Sequence, residues 1–132
     1  MNRLAEQIAV VAFASLALSA TAHAHHGYAQ YDRCASVTIE GEVQRVEWAN
    51  PHVLLDVKAA DATYRIEWLA LQQLQRAGYD SGVLKTGDHV LITGSMNRDP
   101  EAKMMTLLTQ VSRPSDGWAW SRPTSTVCAT AQ

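Results

Sequence analysis

Val37-Thr38-Ile39-Glu40-Gly41-Glu42-Val43-Gln44-Arg45-Val46-Glu47-Trp48-Ala49-Asn50-Pro51-His52 is the stretch whose pattern settles the architecture. Val37, Ile39 and Val43 share one parity while Val46 and Trp48 share the other, with Gly41 and Arg45 between. A period of two that slips by one inside a single run marks a long strand with a bulge or bend, the device that closes a small barrel. Asn50-Pro51 then breaks the run, because proline cannot donate to a strand ladder.

Working outward, Val53, Leu55 and Val57 alternate with Leu54, Asp56 and Lys58, which predicts a second strand. Tyr64, Ile66 and Trp68 alternate with Arg65 and Glu67 as a third strand with one wet face. From Ala70 to Ala77 the alternation is lost; Leu71 and Leu74 among good helix formers, ended by Gly78, predict one short helix. Leu84-Lys85-Thr86-Gly87-Asp88 is a turn into a fourth strand that buries Val90 and Ile92 and ends at Gly94. Met104 to Val111 is a fifth, of ambiguous facing, because Met104, Met105, Leu107 and Leu108 occupy both parities. The expected fold is mainly β: a five-stranded OB-like barrel over residues 25–113 with one helix between strands 3 and 4. Residues 114–132 are expected to be an irregular tail, in which Trp118 and Trp120 around Ala119 form either a sixth edge strand or a cover over one barrel mouth.

Residues 1–24 read as a signal peptide. Arg3 precedes an apolar run from Ile8 to Leu18, and Ala22-His23-Ala24 puts small residues at −3 and −1. Removing 24 of 132 residues leaves 108, enough for one small domain. No later segment reaches the length of a membrane helix. The expectation is therefore a periplasmic or secreted protein with no membrane span after leader removal. The leader takes one acidic and one basic side chain with it, so the net charge of −2 is unchanged. Export and that charge argue against nucleic acid as a partner. Cys34 and Cys128 are the only cysteines, and in an oxidising compartment they are expected to form one disulfide tethering the tail. A loop of that length gives the bridge about 4–5 kcal/mol in the chain-entropy model.

Cleavage after Ala24 makes His25 the first residue of the mature chain, offering a metal ion an α-amine and a ring nitrogen together. The competing cut after Ala22 leaves His23-Ala24-His25-His26, with His25 in third place, a geometry that also suits Cu(II). His52, just past Pro51 at the rim of the predicted barrel, is a further ligand, so His25, His26 and His52 form the candidate metal set for copper or zinc. Tyr28, Tyr31 and Asp32 are alternative or supporting partners. Equally, His52 can simply hydrogen-bond its turn while His25 and His26 stay solvated. His89 is expected on the surface. Met96, Met104 and Met105 are gap-fillers of a core before they are copper(I) ligands, and Trp48 and Trp68 face inward.

Catalytic arrangements are thin. Glu40, Glu42, Glu47 and Glu67 lie on faces expected to be wet, and there is no nucleophile elbow, phosphate loop or Gly-rich nucleotide turn. The residues indicate a binding module rather than an enzyme. Two other readings stand beside it: an envelope protein-interaction domain with no metal, and a copper oxidase or oxygenase, which needs an open coordination position.

With these motifs in view, the chain resembles a family of small exported bacterial proteins catalogued as a domain of unknown function. The resemblance lies in the leader followed by His25-His26-Gly27-Tyr28, then Tyr31-Asp32, the Val37–Val43 strand, Val46-Glu47-Trp48-Ala49-Asn50-Pro51-His52, the Leu84–Asp88 turn and Gly94. It covers about His25 to Val111. The Trp-x-Asn-Pro-His piece is the specific part, whereas the Gly-Asp turn is general to small barrels. The resemblance implies an exported barrel-like domain, draws His25, His26 and His52 together as a set, and implies no activity. Cys34, Cys128 and the Trp118-Ala119-Trp120 tail depart from the pattern.

Overall fold

The slip of parity in the first strand is a β-bulge. Strand β1 (Val37–Glu47) pairs along Val37–Glu42 with β4 (His89–Met96) and along Glu42–Glu47 with β2 (His52–Lys58). Its register against β2 shifts between Val43 and Arg45, which makes Gln44 the extra residue and turns Val46 back toward the interior. Gly41 sits where this strand passes closest to another chain segment: a Cβ there would run into the Lys58 carbonyl, so no larger residue fits without moving the backbone. Val37, which shares the parity of the buried Ile39 and Val43, is 42% exposed, because it lies at the strand's end beyond the core. The structure is a computed structural model that describes residues 27–122.

Four more elements complete the sheet: β3 (Thr63–Ala70), the helix α1 (Leu71–Arg76) directly after it, β5 (Met104–Arg113) and β6 (Trp118–Ser121). Neighbours run β3-β2-β1-β4-β5-β6, all antiparallel, and two parallel pairs, Arg65 with Met104 and Ile66 with Met105, bring β5 back against β3. The order of pairing thus returns on itself through five strands, with β6 continuing from β5. Val43, Val53, Leu55, Val57, Ile66, Val90, Ile92, Met105 and Val111 are fully buried in the space they share. Leu74 of α1 and Leu84 of the following turn close it, which accounts for their place in otherwise polar segments.

The sheet has six strands rather than the five expected of the barrel, and the tail supplies the sixth: of the two alternatives for Trp118-Ala119-Trp120, the edge strand is the one observed. Trp118–Ser121 pairs with Gln110–Arg113, and Trp120 reaches the core while Ala119 faces out, so the apolar gain of the alternating tryptophans outweighs the polar character of their surroundings. The end of the tail beyond residue 122 lies outside the described residues, as do residues 1–24, expected to be a signal peptide.

The ambiguous facing of β5 also has a cause. Thr93 pairs with Gln110 and Ser95 with Thr106, so three residues of β5, Leu107, Leu108 and Thr109, stand opposite the single Gly94. Leu107 adopts φ 51°, in the left-handed region that non-glycine residues rarely enter. The bulge folds Leu108 over Gly94, where a Cβ would come within 2.7 Å of Leu108 Cδ2 and 2.8 Å of the Thr106 carbonyl oxygen. Met105, Thr106 and Leu108 are all buried as a result.

Candidate functional site

β3 and β5 separate just past their two shared pairs, and both strands bulge there. On β3 the register against β2 jumps from Leu54–Glu67 to His52–Ala70, so Trp68 and Leu69 together face Val53. Opposite them lies the Leu107 bulge. The parting opens a cavity of about 180 Å³ whose polar lining comes from Tyr28, His52, Trp68, Gln73, Thr106 and Arg122. A more open depression of about 660 Å³, bordered by Glu40, Glu42, Lys58 and His89, lies on the other side of β1. Its polar side chains are exposed and largely matched among themselves, with His89 Nε2 2.8 Å from Glu40 Oε1, so the smaller cavity is the better-built site. His89 is thus the surface residue its parity predicts.

His52 opens β2, and its ring is three-quarters buried. Nδ1 lies 3.2 Å from Glu67 Oε1, whose side chain is equally buried. A carboxylate there fixes the ring's orientation and favours the proton on Nδ1. The turn behind the histidine is anchored by the Leu71 N–H, which donates to the Pro51 carbonyl at 3.2 Å, and the Asn50–Pro51 peptide is cis. Trp68, 4% exposed, packs edge-on to Trp118 and Trp120. Its indole Nε1 is buried and finds no acceptor among the described residues.

The start of the described chain is pinned to the same end of the sheet. A 3-10 turn, Tyr28–Gln30, leads to Tyr31, which is buried and bridges to Asn97. The Asp32 N–H donates to the Met96 carbonyl and the Arg98 N–H to that of Gln30. Burial raises the Tyr31 phenol above its ordinary pKa; hydrogen bonds from Gln30 and Asn97 oppose the shift, and the nearby Glu67 charge adds to it.

Of the expected metal set, His52 stands at the cavity, whereas His25 and His26 lie outside the described residues. Among the described residues no group of three or more His, Cys, Asp or Glu side chains is placed to hold a metal ion. Cys128 also lies outside them, so the Cys34 pairing is not displayed. Met105 is core and Met96 packs against it, in keeping with a filling role. Glu67, Gln73 and Arg122 were not singled out as site residues by their sequence. Glu67 has the parity of a wet face, and the β2–β3 register makes it a diagonal neighbour of His52 on that face.

The model of a family of unknown function, DUF6152, matches residues 12–110, three-quarters of the chain. The chain belongs to this family. No curated protein and no solved structure matches it. The DUF6152 match takes in β1 to β4, α1 and most of β5, together with Tyr28, His52, Glu67, Trp68, Thr106 and Leu107, but not β6 or Arg122. Among the described residues of this DUF6152 chain no helix is long and apolar enough to cross a membrane.

Proposed function

We propose that this protein is an exported OB-type barrel that binds a transition-metal ion, copper or zinc, at its processed N-terminus. The signal peptide, residues 1–24, is removed in transit to the periplasm or beyond, and His25 contributes its α-amine and ring. His52 supplies a further ring through Nε2, with His26 beside them. Three nitrogens in that disposition suit Cu(II), which favours planar arrangements of nitrogen and oxygen ligands.

The observation that carries this reading is that Tyr28 and His52 line one cavity. Two residues of chain span at most about 7 Å, so a chain continuing from Tyr28 through Gly27 is short enough for His26 to reach the wall that holds His52. The Glu67 carboxylate at His52 Nδ1 supports it further, since metal-bound histidines usually have such a partner on the other ring nitrogen. The return of β5 to β3 supports the barrel. A Cys34–Cys128 bridge belongs to the same proposal, supported by the absence of a free cysteine among the described residues.

Isothermal titration of the mature, untagged protein with Cu(II) and Zn(II) tests it. Binding tighter than micromolar that weakens in His52→Ala is expected. Micromolar or weaker binding, indifferent to that substitution, ends the proposal.

A further inference from the structure

The cavity beside His52 has a polarity that a metal ion does not explain. Every polar side chain that the described residues add to its lining can donate a hydrogen bond: the Tyr28 and Thr106 hydroxyls, the His52 ring, the Trp68 indole, the Gln73 amide and the Arg122 guanidinium. Among the described residues no carboxylate lines it. Gln73 Oε1 already accepts the Ala70 N–H at 3.3 Å, which leaves its Nε2 as the group to offer. Trp68 Nε1 is buried with no acceptor among the described residues, a state that costs free energy until some acceptor enters. Leu107, held in the left-handed region, borders the same space, and such strain gathers at ligand clamps.

Size and charge narrow the occupant. About 180 Å³ equals the share of roughly six waters and lies well below the volume of sites for drug-sized ligands. Among the described residues Arg122 is the one fixed cation of the lining, and His52, when protonated, is matched by Glu67. One positive charge among neutral donors suits a monovalent planar anion and undercompensates a phosphate dianion. We propose that this cavity binds a small monocarboxylate, between formate and propionate in size, with its oxygens on Arg122 and Gln73 and its body beside Trp68, whose buried Nε1–H reports its entry. The site stands independently of the metal.

The test is titration of the isotopically labelled mature protein with sodium acetate, metal-free and again with Zn(II), read at the tryptophan indole N–H resonances. The Trp68 signal is assigned by its absence in Trp68→Phe. One indole of the four is expected to shift downfield and saturate in the metal-free protein, acetamide at equal concentration having no effect. Arg122→Gln is expected to weaken binding about tenfold, the scale of one charge-assisted hydrogen bond. Arg122 is exposed and its backbone N–H bond to Thr109 survives the change, and Gln73→Met on the exposed side of α1 gives a second variant, expected to weaken binding in the same direction. A linear drift of all four indoles, equal response to acetamide, or an unaltered titration in both variants overturns the proposal. Failure of Cu(II) to bind leaves the acetate result untouched, so the two readings fail separately.

Discussion

His52 Nδ1 lies 3.2 Å from Glu67 Oε1, although the ladder sets His52 opposite Ala70, three residues further along β3. A ladder without the Trp68–Leu69 bulge would set His52 opposite Leu69, so Glu67 is a diagonal neighbour on the same face. The contact links a candidate ligand to a group that orients it.

Glu67→Gln keeps the shape of this partner and removes its charge. If the carboxylate sets the His52 ring, Cu(II) affinity falls by about 10–100-fold. Thermal unfolding of the metal-free variant is expected to change little, because the pair is partly solvated. Equal Cu(II) affinity in wild type and variant, by isothermal titration, contradicts the role given to Glu67.

Gly94→Ala puts a methyl group against Leu108 and the Thr106 carbonyl, neither of which can withdraw without undoing the β5 bulge. Destabilisation by about 1–3 kcal/mol is expected, the usual cost of overpacking. Urea denaturation gives the value, and an unchanged midpoint means that the bulge gives way freely.

Arg113 ties together three segments of chain. Its guanidinium donates to Asp88 at 2.8 Å, to Asp116 at 2.8 Å and to the Val83 carbonyl at 2.9 Å, and it lies over the Trp118 ring. Arg113→Met keeps much of the apolar stem and removes every donor; a loss of about 2 kcal/mol is expected. Chemical denaturation followed by tryptophan fluorescence checks it, and a loss within error of zero shows the network to be solvent-compensated.

Acid sensitivity follows from two exposed carboxyls. Asp116 is held below its ordinary pKa chiefly by Arg113, and Asp61 chiefly by the Tyr64 hydroxyl at 2.7 Å. A depressed folded-state pKa stabilises the fold above the unfolded value, and that contribution disappears as pH falls through the folded value. The urea midpoint is therefore expected to drop below about pH 4, less steeply in Asp116→Asn. Parallel profiles for the two proteins rule out Asp116 as a source of the slope.

Alternation exposed most of this architecture because one-faced burial imposes a period of two on each strand. Val53, Leu55 and Val57, Ile66 and Trp68, and Val90 and Ile92 are buried as their parity predicts, and the slip at Gln44 is the bulge. The β5 bulge was hidden, since Leu107 carries no glycine-like signal for its left-handed backbone. β6 was left open for the opposite reason: two tryptophans around Ala119 fit an edge strand and a lid equally well. At the site, His52 was legible from its place after Pro51, whereas Glu67, Gln73 and Arg122 are brought to it by register and by the parting of β3 from β5. Those are long-range facts that local pattern does not encode.

The most direct measurement compares Cu(II) binding by the mature protein beginning at His25 with binding by the same chain bearing one extra residue before it. The addition leaves every side chain in place and moves only the amine out of chelating reach. The account predicts that tight binding is lost with that one residue. Equal affinity in the two proteins contradicts it.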